Sequence, residues 1–145
     1  MPLQELLAQV PFIRHLGVQV EDFSPGRVVL SLSAEPDAST HMGSMHAGAL
    51  FALAEIAGSA ALSTHEQLVG MRVRARAGEI RFRRPATGRV TAHAEITDEM
   101  VDAVLRELAR SESAEIVVPV EVLDGRGSTV ARVTGSYRLR GPAGE

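Results

Sequence analysis

The stretch Met42–Thr64, M-G-S-M-H-A-G-A-L-F-A-L-A-E-I-A-G-S-A-A-L-S-T, constrains the fold of this chain more than any other. Ala, Leu, Phe and Ile fall on every helical face, and Glu55 is its one formal charge. Such a run is expected to form a helix buried all round. It is long enough for a membrane span of ~20 residues, but a carboxylate near the centre of a span costs roughly 2.5–3.5 kcal/mol. Asp37 precedes the run and Glu66 follows it, with no basic cluster at either end. The helix is therefore read as the core of a protein that does not span a membrane. A lone carboxylate there is costly unless paired or neutralised. It is either the partner of a buried Arg or a functional group, and the functional reading is preferred.

The start of the helix adds to that reading. Ser44 or Met45 is placed to cap it, which leaves the N–H groups of Ala47 and Gly48 free in the first turn. Free amides at a helix N-terminus favour developing negative charge, the physics of an oxyanion hole. The plainer role for Gly48 is close helix packing. Ala47 and Glu55 are eight residues apart, or roughly 12 Å at helical rise. A general base must lie ~3 Å from its proton. One helix cannot readily bring both groups to one substrate, whereas a two-fold dimer can set one chain's Glu55 against the other chain's Ala47.

The remaining pattern describes one domain over residues 1–145. Leu3, Leu6, Leu7 and Val10 follow helical spacing, with Pro11 expected to end that helix. Strands are expected at Leu16–Asp22 and Gly26–Ala34, joined by a turn at Ser24-Pro25-Gly26. A polar loop over Glu35–His41 leads into the long helix, and a second loop covers His65–Val69. Gly70–Arg84 alternates as a long strand pair or one bent strand, with a bulge or bend expected at Gly78. Arg89–Ile96 is another strand. Thr97-Asp98 starts a helix whose apolar face is Val101, Val104, Leu105 and Leu108. Strands at Glu115–Leu123 and Ser128–Leu139 flank a hairpin turn at Asp124–Gly127, and the tail Gly141–Glu145 is expected to fray. The outline is α+β, an antiparallel sheet wrapped around one helix.

This order, with the run His46-Ala47-Gly48-Ala49-Leu50-Phe51-Ala52-Leu53-Ala54-Glu55, resembles the hotdog-fold acyl-CoA thioesterases of the phenylacetate-degradation type. Their pattern is His-Gly-Gly followed by an apolar helix, with Asp or Glu seven residues after the second Gly. The resemblance covers nearly the whole chain. It implies a hotdog fold, a homodimer or a pair of such dimers with composite sites, and an acyl-CoA substrate without further cofactor. It makes Glu55 the catalytic carboxylate, as general base or as nucleophile, and Ala47 N–H the group that polarises the thioester carbonyl. Ser59, one turn on, would orient a water or the carboxylate. Thr40, fifteen residues before Glu55, stands where relatives carry Asn or Gln, and its hydroxyl replaces their amide donor. His46 and Gly48, at the helix start, complete the candidate site; on the residues alone His46 is read as a packing or loop-anchoring residue rather than a catalyst. Ala47 replaces a Gly, and the helix at Asp98–Arg110 is an insertion that resembles a less characterised branch of the family.

Arg81, Arg83 and Arg84, beside Pro85, are candidates for the phosphates of coenzyme A, since guanidinium pairs phosphate oxygens bidentately. The plainer reading is a solvated strand face. All fifteen basic residues are Arg, which we read as genomic base composition. A nucleic-acid reading is disfavoured by a net charge of −3 and by the paucity of aromatic stacking partners. The chain has no Cys, which excludes disulfides and thiolate sites. His41 and His46 are five apart and His15, His65 and His93 are scattered, so no metal site is expected. A start of Met1-Pro2-Leu3-Gln4-Glu5 lacks a basic leader, and the expected location is the cytoplasm. Two functions stand: a thioesterase acting on an acyl-CoA or related thioester, and a non-catalytic acyl or acyl-CoA binding protein on the same scaffold. A hydratase would want an Asp with a His a few residues on, which Glu55 lacks.

Overall fold

The computed structural model describes residues 2–34, 40 and 42–142. Its elements are α1 (Leu3–Ala8), α2 (Pro11–Leu16), β1 (Gln19–Ser24), β2 (Arg27–Ser33), α3 (Ala47–Thr64), β3 (Arg72–Phe82), β4 (Arg89–Glu95), α4 (Asp98–Leu108), β5 (Ser113–Leu123) and β6 (Thr129–Arg140). The six strands form one antiparallel sheet in the order β1-β2-β4-β5-β6-β3. The expected loop and tail lie partly outside the described residues.

Alternation builds the sheet. In β5 the residues Ala114, Ile116, Val118, Val120 and Val122 are buried, while Glu115, Val117 and Pro119 point outward. In β6 Val133, Tyr137 and Leu139 are buried between exposed or half-buried neighbours. The buried set faces α3, which packs across β2, β4, β5 and β6. Burying these Val, Leu and Ala side chains is the main term holding the fold, at about 25 cal/mol per Å² of apolar surface. The inserted helix α4 is amphipathic, and its Val101 and Val104 join the same core. Thr97 caps it by accepting from the Met100 N–H.

Several elements differ from expectation. Pro11 opens α2 rather than only closing α1, and Leu16 belongs to that helix, so β1 begins at Gln19. A proline's fixed φ and missing N–H suit the first helical position as well as a stop. The side chain of Gln4 then ties α1 to β1: its Nε2 donates to the Val18 carbonyl (3.0 Å) and its Oε1 accepts from the Val20 N–H (2.7 Å).

The second difference is in β3. Ala75 faces Tyr137 and Ala77 faces Ser136 across β6, so the extra residue is Arg76 and not Gly78. Directly opposite residues share a face of the sheet. The bulge thus switches the inward set from Val73 and Ala75 to Gly78 and Ile80. Gly78 is required for another reason: a Cβ there would lie 2.6 Å from the Phe51 ring.

Helix α3 is not buried all round. Ten of its eighteen residues are buried. A stripe of Gly48, Phe51, Ala52, Glu55, Ser59 and Ser63 is exposed or half-buried, at the spacing of one helical face. β3, at the edge of the sheet, leaves all but Val73 and Ile80 of its eleven residues exposed.

Candidate active site

Glu55 lines a cavity of about 280 Å³ together with Phe51, Ala75, Arg76, Ala77, Gly78, Val133, Gly135 and Tyr137. The walls are the uncovered stripe of α3 and the β3–β6 pair. Among the described residues the Glu55 carboxylate makes no hydrogen bond or ion pair, so no buried Arg partners it. Burial, which disfavours the charged form, holds its pKa above the ordinary glutamate value. This is a carboxylate with an available proton-accepting oxygen and a bias toward basicity.

Tyr137 is the group that sequence reasoning missed. It is 1 % exposed, and its hydroxyl donates to the backbone carbonyl of Glu55 at 2.9 Å. Burial, with the nearby Glu55 charge adding to it, pushes the Tyr137 hydroxyl well above the usual phenol range, so it stays a donor. Two glycines make room for the ring. A Cβ on Gly58 would meet the Tyr137 oxygen at 2.6 Å, and one on Gly135 would meet Cε2 at 2.9 Å. The pair Gly135-x-Tyr137 in an apolar strand was the available signal, but a contact between residues 82 apart leaves no local trace.

The start of α3 is capped by neither Ser44 nor Met45. His46 is the N-cap, and its Nδ1 accepts from the Gly48 N–H at 2.8 Å. The expectation that both first-turn amides are free is therefore corrected: Gly48 is engaged. Ala47, exposed beside it, keeps an N–H without a partner among the described residues. Met45 N–H donates to the Ala86 carbonyl at 2.7 Å, which fixes this helix start against the loop that follows Arg83 and Arg84.

The structure brings the other expected site residues together only in part. Thr40 lies in a tight turn: its Oγ1 is 3.1 Å from Ser44 Oγ and accepts from the Met42 N–H at 3.2 Å. It does not line the Glu55 cavity, nor do Ala47, Gly48, His46 or Ser59. Ser59 is half-buried one turn beyond Glu55 on the same stripe. Arg83 and Arg84 line a surface recess of about 290 Å³ with Ser128, Thr129 and Arg132. Arg81 is absent from that recess and pairs with Glu79 at 3.1 Å. Among the described residues no three His, Asp or Glu gather as a metal site.

The long helix laid across one face of a six-stranded antiparallel sheet is the hotdog fold, and known structures match it over almost the whole chain. A Pseudomonas aeruginosa protein of unknown function, PA5026, described as a probable thioesterase, superposes with a TM-score of 0.87 at 30% identity, covering 97% of this chain and 96% of its own. The E. coli PaaI protein from the phenylacetic acid degradation operon matches at 0.75 and 21% identity, over 95% and 90% of the two chains. A Haemophilus influenzae thioesterase, HI1161, matches at 0.76 and 19% identity, over 97% and 90%. Among proteins with curated descriptions none matches. The chain belongs to the family described as Domain of unknown function (DUF4442), whose model matches residues 3–139.

Proposed function

We propose that this protein is a thioesterase that hydrolyses an acyl-CoA or related acyl thioester at a site shared between two subunits. The observation that carries the reading is Glu55: a half-buried carboxylate with a raised pKa and no partner among the described residues, facing a cavity on an uncovered helix stripe. Its likeness to PA5026, a probable thioesterase at 30% identity, supports the same chemistry.

In the general-base route Glu55 takes a proton from water as the water oxygen bonds to the thioester carbonyl carbon. The Ala47 N–H of the partner subunit stabilises the resulting oxyanion. The C–S bond then breaks, the thiolate leaves and is protonated, and the acid is released. In the nucleophilic route a Glu55 oxygen attacks the carbonyl, the C–S bond breaks with loss of the thiolate, which is protonated, and water hydrolyses the resulting anhydride to free acid and the Glu55 carboxylate. Roughly 12 Å of helix separate Ala47 from Glu55, so the composite site requires a dimer. The uncovered α3 stripe and the exposed edge strand β3 together supply a face for it, because an unpaired edge strand is a template for pairing. The recess of Arg83, Arg84, Ser128, Thr129 and Arg132 supplies guanidinium and hydroxyl donors for the phosphates of coenzyme A.

A specific observation favours the non-catalytic alternative. The Gly48 amide, expected to serve the substrate, is engaged by His46, and Thr40 sits in a turn against Ser44 and Met42 outside the Glu55 cavity. A thiol-release assay over short, long and aromatic acyl-CoAs separates the two. Hydrolysis that is lost in Glu55→Gln establishes the enzyme. Saturable acyl-CoA binding with no thiol release establishes the binding protein.

A further inference from the structure

The outward face of the sheet carries a second basic site, remote from the recess of Arg83 and Arg84. The register sets Arg72 opposite Arg140 and Arg74 opposite Arg138. Like charges directly opposite on one sheet face destabilise it unless something compensates. The bulged Arg76 joins them, and Arg72, Arg74, Arg76, Arg138 and Arg140 line a recess of about 460 Å³ whose one other lining residue is Val73. The chain as a whole is acidic, with a net charge of −3, so this gathering is not a reflection of overall charge.

Little within the fold neutralises it. Glu115 pairs with Arg138 at 3.0 Å, and Arg72 Nε donates to the Gly141 carbonyl at 2.9 Å. Among the described residues Arg74, Arg76 and Arg140 make no ion pair. Their guanidinium groups present forked donors around a concave surface.

We propose that this recess binds a small molecule carrying two or more linked phosphates. Guanidinium forks match phosphate oxygens bidentately, and a volume of about 460 Å³ falls within the usual ~300–1,000 Å³ of small-ligand sites. Nucleic acid fits less well, because no aromatic side chain lines the recess for base stacking. An acidic protein surface fits less well because the arginines surround a hollow. Through Arg76 the recess adjoins the Glu55 cavity, but it is separate from the recess proposed for the phosphates of coenzyme A: Arg74 and Arg83 are nine residues apart, or about 30 Å along an extended strand.

The test is isothermal titration of the full chain with inorganic tripolyphosphate at about 0.15 M salt. Saturable binding is expected, with inorganic sulfate at equal ionic strength giving none. The R74Q/R140Q protein should bind at least about 10-fold more weakly, given the strength of charge-assisted hydrogen bonds. The R106Q/R110Q protein, which loses the same charge at exposed positions outside both recesses, should bind as the native protein does. Absence of saturable binding overturns the proposal. So does an affinity that R74Q/R140Q leaves intact, or one that R106Q/R110Q lowers equally, since either result means a different site or general charge attraction.

Discussion

The hydroxyl of Tyr137, on the last strand, donates to the backbone carbonyl of Glu55, in the middle of the core helix, at 2.9 Å. That carbonyl belongs to the turn from which the Glu55 side chain projects. The bond therefore fixes the rotation and height of the turn relative to β6. Gly58 and Gly135 leave the ring its place, so one residue of the core helix and two of the last strand cooperate to aim one carboxylate.

A double-mutant cycle tests this contact. Gly58→Ala puts a methyl 2.6 Å from the Tyr137 oxygen, and overpacking of that kind costs about 1–3 kcal/mol. Tyr137→Phe alone should cost about 0.5–1.5 kcal/mol for a lost hydrogen bond. The double variant should be less destabilised than the sum, because removing the hydroxyl removes the clashing atom. Strict additivity in urea melts would show that the two residues do not meet.

Glu55→Gln should retain the fold and lose about 10²–10⁴-fold in thioester hydrolysis if Glu55 is a general base, and more if it is the nucleophile. Stability should move the other way. The folded pKa is raised, so folding loses stability as pH rises from the ordinary glutamate value through the folded one. At neutral pH Gln avoids that loss, and the variant should melt at or above the native temperature. Below pH ~4 both proteins are neutral at this position, and the difference should vanish. A variant that melts far lower at pH 7 would contradict the unpartnered carboxylate.

The proposed coenzyme A recess makes a selective claim about neighbouring arginines. Arg83→Ala with Arg84→Ala should weaken coenzyme A binding and flatten its dependence on salt. Arg81→Ala should change neither, since its guanidinium turns to Glu79 outside the recess. Equal losses from all three would place the phosphates along the strand face instead.

The uncovered stripe predicts assembly. The native protein should sediment as a dimer or a higher even-numbered species at micromolar concentration. Ala52→Arg, which sets a charge on the half-buried stripe of α3, should shift it to monomer and abolish hydrolysis with it. A native protein that is a stable monomer and still turns over thioester would end the composite-site reading.

His46→Ala should destabilise the helix start by about 0.5–2 kcal/mol, the usual range for an N-cap. The measurement is a thermal melt. Hydrolysis in the folded variant shows whether the freed Gly48 amide helps or hinders.

Glu55 was legible because one charge in an apolar run stands out whatever surrounds it. The strands β4, β5 and β6 were legible because alternation is local. The phase switch in β3 was legible too, but its position was not. Gly78 invites the bulge, yet glycine also serves close approach, here of the Phe51 ring, and Arg76 has no bulge signature at all. His46 was missed as a cap because the usual N-cap residues carry short oxygen-bearing side chains. Burial of α3 on all faces was overestimated because an uncovered stripe of Ala, Phe and Gly has the composition of a core. The contact of Tyr137 with Glu55 depends on tertiary packing alone.

Tyr137 is the chain's single tyrosine, and there is no tryptophan. Near-ultraviolet absorption and emission of the native protein therefore come almost wholly from one ring, seated against the Glu55 turn. The protein carries a built-in optical reporter at its candidate centre. Ligand entry into the cavity, loss of the hydroxyl contact and global unfolding can each be followed in unlabelled material, by the same chromophore.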